Sequence, residues 1–223
     1  MEAFMIRFVF VILALIPSFG VAKETKPYDT TKWKAAIDKF LAADEAKPTE
    51  PGGILFVGSS SIVGWKLDKS FPGQGYLNRG FGGSEIADSV YYFSDLVTKH
   101  KPRLVVFYAG DNDIAAGKSP QQVLEDFQAF AKKLESDLPD TKLIYIAIKP
   151  SIARWKLADK IREANSLIKA ECEKNEKFAF LDVWPVMLND KGEPREDIFL
   201  GDGLHMNDKG YEAWVELIEP KLN

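Results

Sequence analysis

Cysteine occurs once in this 223-residue chain, at Cys172, and histidine only twice. A lone cysteine excludes an intramolecular disulfide framework and any thiolate metal cage. A strong charge of either sign is also missing. The 29 basic and 33 acidic residues leave a net charge of −4, with a pI near 5.4. A weakly acidic surface does not attract phosphate backbones, so nucleic acid is not an expected partner. Repeats and low-complexity stretches are absent, and past residue 23 no run is apolar enough to span a bilayer. What remains, 46% hydrophobic and 28% charged residues, is the mix of an ordinary globular protein rather than a disordered or fibrous one. The length suits one generous α/β domain.

Residues 1–22 differ from the rest. Arg7 precedes the apolar run from Phe8 to Ile16, then come Pro17 and small residues up to Gly20-Val21-Ala22. A short basic start, an apolar stretch and a small-x-small ending fit a secretory signal peptide cleaved near Ala22. A retained anchor is the alternative, but the run is short of the roughly 20 apolar residues that cross a bilayer. No cysteine ends the run for lipid attachment. The expected organisation is therefore an export segment at 1–22 and a single domain at 23–223. The mature protein would be periplasmic or secreted, without stable membrane insertion.

Short unalternated apolar runs at Ile54–Val57, Leu104–Tyr108, Leu143–Ala147 and Phe178–Leu181, with a weaker one at Tyr76-Leu77-Asn78, predict five strands. Strands apolar on both faces belong to a parallel sheet covered by helices. The intervening segments carry apolar residues at helical spacing over 30–47, 84–99, 120–137, 154–176 and about 207–219. The predicted fold is α/β, a three-layer sandwich with a five-stranded parallel sheet, and function is expected where strand C-termini meet loops. Cys172 shares an apolar stripe with Ile161 and Ile168, which predicts a core position. His100, in Lys99-His100-Lys101-Pro102, reads as an exposed helix end.

Four polar clusters follow these strands. Gly58-Ser59-Ser60-Ser61-Ile62 is either an ordinary turn and helix cap or a junction that exposes a nucleophilic hydroxyl. Arg79-Gly80-Phe81-Gly82-Gly83-Ser84 lets backbone approach a ligand closely, yet matches neither a phosphate loop nor a dinucleotide fingerprint. Gly110-Asp111-Asn112-Asp113 follows the third main strand, and its carboxylates could equally cap backbone N–H groups. Gly201-Asp202-Gly203-Leu204-His205 puts an Asp three residues before a His, a spacing at which the carboxylate can hold one imidazole tautomer. Asp111, Asp113, Asp202 and His205 could instead ligate a divalent ion. No His-x-His or Glu-x-x-His cluster supports that use, and no metal or cofactor is expected.

Taken in order, these blocks resemble those of the SGNH hydrolases, the GDSL-type esterase and lipase superfamily, across nearly the whole mature chain. The resemblance implies a flavodoxin-like hydrolase fold and a Ser-His-Asp triad acting through an acyl-enzyme. Ser60 aligns with the nucleophile, His205 with the base and Asp202 with its orienting acid. Ser60, Gly83 and Asn112 align with the oxyanion-hole donors. Two positions depart from the pattern: Ser59 stands where the name-giving Asp would be, and Met206 where a proline often follows the His.

The stretches Asn78–Ser84 and Tyr108–Ile114 resemble the platelet-activating-factor acetylhydrolase-like branch, which implies acetyl esters. Short strand-to-helix connections predict an open cleft for short acyl groups, lined by Phe81, Arg154 and Trp155. The expected partner is a small ester, an acylated carbohydrate among the candidates; the oligomeric state cannot be read. An O-acyltransferase using the same triad, a carbohydrate O-acetyl esterase of cell-envelope or plant polysaccharide, and a non-catalytic carbohydrate-binding protein are the alternatives.

Overall fold

The computed structural model describes residues 29–222; the export segment expected at 1–22 lies outside them. Helix α1 (Lys34–Ala46) leads into strand β1 (Ile54–Gly58), and the short helices α2 (Ser60–Val63) and α3 (Leu67–Ser70) into β2 (Leu77–Gly80). Next come α4 (Ile86–Tyr91), α5 (Phe93–Leu96), β3 (Leu104–Tyr108), α6 (Asp111–Ala115) and α7 (Pro120–Asp137). The chain closes with β4 (Lys142–Ile146), α8 (Ala158–Cys172), β5 (Phe178–Leu181), α9 (Trp184–Met187) and α10 (Asp208–Ile218).

All five strands are parallel, in the order β2-β1-β3-β4-β5. Every residue of β1 and β3 is buried, as the unalternated runs require of strands covered on both faces. The order reverses at β1, whose successors lie on opposite sides of it. The crevice beyond the ends of β1 and β3 is therefore the topological switch point, where ligands bind in open α/β sheets.

Helix α7 starts as its sequence predicts. Ser119 and Gln122 form a reciprocal capping box, Pro120 opens the first turn, and Val123, Phe127, Phe130 and Leu134 face the sheet. Phe130 stacks on Phe107 of β3 with ring centroids 4.0 Å apart. Cys172 is buried on α8 as expected, and burial pushes its thiol up to about 12.

Two expectations fail. The helix predicted over 84–99 is broken at Tyr92, where the backbone turns to φ −90°, ψ 18°. No glycine or proline marks the break; it accompanies full burial of Phe93, Leu96 and Val97. A 3-10 turn over Thr98–His100 follows, and it carries His100 inward rather than into solvent. The ring is buried, with Nδ1 2.8 Å from Thr49 Oγ1 and Nε2 3.5 Å from Asp44 Oδ2. Asp44 also pairs with Arg79 and Lys99. Burial drives the His100 pKa down to about 4.

Candidate active site

Strand β1 ends against its neighbour so tightly that only glycine fits. Gly58 has φ +137°, and a Cβ there would lie 1.9 Å from the Tyr108 carbonyl oxygen of β3. The Ser59 N–H donates to that same oxygen at 2.9 Å, and the chain then turns into α2. Ser59 and Ser61 are buried, and neither hydroxyl makes a hydrogen bond. Ser60 is half-buried and lines a cavity of about 670 Å³ together with His205. Of the three serines, Ser60 is the one that lines it. As the first residue of α2, its N–H has no acceptor within the helix.

His205 arrives on a tight hairpin. Phe199 and Met206 pair antiparallel, the Leu200 N–H donates to the His205 carbonyl at 2.8 Å, and the Gly203 N–H closes the turn on Leu200 O at 2.9 Å. Asp202 sits inside that turn. Its Oδ1 accepts the N–H groups of Leu204 and His205, each at 2.9 Å, and its Oδ2 lies 2.6 Å from His205 Nδ1. The imidazole bond first, then the two backbone N–H groups, hold this carboxyl well below the usual carboxylate range.

Beyond the hairpin, Asn207 caps α10 by accepting the Gly210 N–H at 3.2 Å. Tyr211 of α10 donates to Ser61 O at 2.9 Å, and Trp214 meets Trp65 with ring centroids 5.6 Å apart. The serine turn and the histidine hairpin are thereby fixed to one helix. No hydrogen bond joins Ser60 to the imidazole among the described residues. Nucleophile–base bonds are often long without substrate and tighten in the reactive complex.

The glycine loop lies beside Ser60. Asn78 Nδ2 donates to Ile62 O at 2.7 Å and Asn78 Oδ1 accepts the Gly80 N–H at 2.8 Å, tying the end of β2 to α2. A Cβ built on Gly82 would stand 3.9 Å from Ser60 Cβ, and one on Gly83 (φ +75°) would press on the Trp33 ring at 3.2 Å. The Gly83 N–H donates to no group among the described residues. Asn112 is bound at both ends of its amide: Nδ2 donates to Ser84 O at 2.9 Å, and Oδ1 accepts from Arg154 Nη2 at 2.8 Å.

Asp111 faces inward, its Oδ2 2.8 Å from Arg154 Nη1 and 3.5 Å from the Nζ of the buried Lys149. Burial lowers the Lys149 pKa. Asp113 has a structural setting, with both oxygens 3.2 Å from the Ile86 N–H and one 2.9 Å from Lys118 Nζ. Burial lifts its carboxyl to about 7.

The expected cleft lining needs correction. Phe81 is 1% exposed, packed edge-on against Trp33 and Tyr92; the glycines after it turn its ring into the core. Arg154 is half-buried, with its guanidinium held by Asp111 and Asn112, and it does not line this cavity. Trp155 is half-buried near Trp184, with Arg162 over both rings. The cavity is instead rimmed by Val63 and Leu200, each 52% exposed. Each directly follows a buried apolar residue, Ile62 or Phe199, so nothing in the sequence marks it as exposed. Among the described residues no cluster of three or more His, Cys, Asp or Glu is arranged to hold a metal ion, and no helix is long and apolar enough to cross a membrane.

The five-stranded parallel sheet with helices on its faces matches the fold of the SGNH hydrolases. The model of the GDSL-like Lipase/Acylhydrolase family matches residues 55–213, and the chain belongs to that family of ester-bond hydrolases. A Streptococcus pneumonia protein named for platelet activating factor superposes with a TM-score of 0.79 at 19% identity, covering 86% of this chain and 94% of that one. A GDSL-like lipase from Bacteroides thetaiotaomicron gives 0.72 at 22%, covering 84% and 97%. A carbohydrate esterase family 3 protein from Talaromyces cellulolyticus gives 0.61 at 19%, covering 77% and 96%. At these identities the likeness is one of fold. No curated protein matches the sequence.

Proposed function

We propose that this protein is an exported serine esterase that removes short acyl groups, acetyl among them, from a carbohydrate or another small alcohol. Ser60 Oγ attacks the ester carbonyl while His205 Nε2 takes its proton, and Asp202 stabilises the imidazolium. The tetrahedral oxyanion receives the backbone N–H groups of Ser60 and Gly83 and the free Nδ2–H of Asn112. Collapse expels the alcohol, protonated by His205, and leaves Ser60 acylated; water then attacks along the same path and releases the acid.

The observation that carries this reading is the Asp202 carboxylate 2.6 Å from His205 Nδ1, with that histidine and Ser60 on one cavity. Short acyl groups are favoured by the exposed aliphatic rim of Val63 and Leu200, which offers a shallow apolar shelf. Export is favoured by the basic, apolar and small-residue pattern of residues 1–22.

The test is hydrolysis of an ester series from acetyl to long-chain, with acetylated xylan and peptidoglycan fragments, alongside fluorophosphonate labelling. Labelling at Ser60, no turnover by Ser60→Ala, and a fall in rate beyond butyrate are expected. Turnover by Ser60→Ala would defeat the mechanism, and a preference for long acyl chains would defeat the substrate assignment.

A further inference from the structure

We propose that Arg154 is a positioning residue for the oxyanion hole, holding the Asn112 amide so that one Nδ2–H stays aimed at the developing oxyanion. This rests on the reading of Ser60 and Asn112 above. A terminal amide can flip, exchanging its donor and acceptor ends at nearly the same shape. The Ser84 carbonyl, 2.9 Å from Nδ2, favours one orientation with a single bond. Arg154 makes the choice at the other end. A guanidinium only donates, so the nitrogen of a flipped Asn112 could not face Nη2, which now lies 2.8 Å from Oδ1. With Oδ1 on Arg154 and one Nδ2–H on Ser84, one N–H is left over for substrate. A cation on the carbonyl end also polarises the amide and strengthens that remaining donor.

Arg154 is itself immobilised. Its fork spans successive residues of α6, with Nη1 2.8 Å from Asp111 Oδ2 and Nη2 on Asn112. The segment that carries it is fixed at both ends. Asn165 accepts the Ile148 N–H at 2.8 Å and donates to the Ile148 carbonyl at 2.9 Å. The Ala153 N–H donates to Gly203 O at 3.0 Å, inside the Asp202–His205 hairpin. The residue beside Arg154 thus touches the loop of the base, while Arg154 touches the oxyanion donor. The loop after β4, which supplies none of the four family blocks, registers the two halves of the site against each other.

The experiment uses the purified protein with a short-chain activated ester and compares wild type with Arg154→Lys, Arg154→Met and the double variant Asp111→Asn/Arg154→Met. Arg154→Met is expected to lower kcat about ten- to hundredfold, with KM within about twofold, while Ser60 still labels with fluorophosphonate. Arg154→Lys, a point charge that cannot span both partners, should recover part of the loss. If Asp111, left with Lys149 at 3.5 Å as its remaining cationic partner, unfolds the single variant, the double variant removes that charge and should show the same ten- to hundredfold loss of kcat relative to wild type. In an Asn112→Ala background, Arg154→Met should change kcat by less than about twofold, because the amide it orients is gone.

Three results would overturn the proposal: kcat unchanged in the folded Arg154 variants, a rise in KM alone, or a full further loss on top of Asn112→Ala. A wild-type enzyme that fails to label at Ser60 would instead defeat the esterase mechanism. Normal labelling with fully active Arg154 variants sinks only the positioning role.

Discussion

Replacing Asp202 by asparagine should harm catalysis more than replacing it by alanine, although asparagine is the closer mimic. The structure gives the reason. Asp202 Oδ1 accepts two backbone N–H groups, from Leu204 and His205, each at 2.9 Å. In Asp202→Asn these two donors fix the amide oxygen in that position and turn its NH2 toward His205 Nδ1. The ring nitrogen opposite a donor must accept, so the proton moves to Nε2, the atom that takes the Ser60 proton in the proposed mechanism. Escape requires the NH2 to face two N–H groups.

Asp202→Ala leaves no such lock. The side chains of His205 and Asp202 are 40% and 47% exposed, so water can replace the carboxylate and either tautomer can form. A charge-assisted bond contributes roughly 1.5–3 kcal/mol. Given this exposure, the lower half applies, and kcat of Asp202→Ala should fall about ten- to fortyfold. The wrong tautomer in Asp202→Asn adds the cost of a mispaired polar group, roughly 1–3 kcal/mol, or about another five- to 150-fold. The assay is kcat on a short-chain activated ester, with folded protein counted by its thermal transition. An asparagine variant as active as the alanine variant would refute the tautomer argument.

Two further predictions concern stability. Lys118 holds Glu85 at 2.8 Å, Asp113 at 2.9 Å and Asp126 at 2.6 Å, so Lys118→Met leaves three facing carboxylates. With the lysine partly exposed, the loss should be about 2–3 kcal/mol, a Tm drop of roughly 5–10 °C; an unchanged melting temperature would show the cluster to be neutral. His100 is held neutral, its pKa lowered from 6.5 to about 4. Between these values the unfolded chain binds the proton and the folded one does not, so stability falls as pH drops from 6.5 to 4 and then levels off. The shift corresponds to roughly 2–3 kcal/mol once partial solvent screening is allowed for. Asp44, Arg79, Lys99 and Thr49 face the ring, so the comparison is urea unfolding of wild type and His100→Gln at both pH values. An equal decline in both proteins would assign the effect to those neighbours.

The parts of this molecule readable from sequence are those where one physical demand acts on consecutive residues. Strands buried on both faces must be apolar without alternation, and Ile54–Val57 and Leu104–Tyr108 declare themselves that way. Ser119 and Pro120 announce α7 because capping is local chemistry, and Gln122 completes the cap in the structure. Asp202 and His205 were readable as a pair because both partners lie in one turn. His100 and Phe81 mislead in the sequence for the opposite reason. A histidine between two lysines reads as solvated until Asp44 and Thr49, about fifty residues away, are seen to enclose it. An aromatic among glycines reads as a loop tip until Trp33 and Tyr92 are found on either side.

The choice among Ser59, Ser60 and Ser61 shows how close a composition-level signal comes and where it stops. All three hydroxyls are chemically alike, and the position that usually carries an aspartate is here a serine, so residue type cannot separate them. Separation comes from Gly58, whose backbone presses on Tyr108 and leaves one direction for the turn. That turn buries the first and third serines and leaves the second on the cavity. Arg154 is the same problem with no local motif to start from. A lone arginine before a short helical turn is ordinary until its guanidinium is found bridging Asp111 and Asn112. The two sides of the cleft then differ in kind. The Asp202–His205 pair, proposed to handle the proton, is half exposed and held by one turn, so water can soften its loss. The Asn112 amide, the proposed oxyanion donor, is held by Ser84 and Arg154 from two other connections, so its orientation depends on long-range folding and is expected to be sensitive to a single distant substitution.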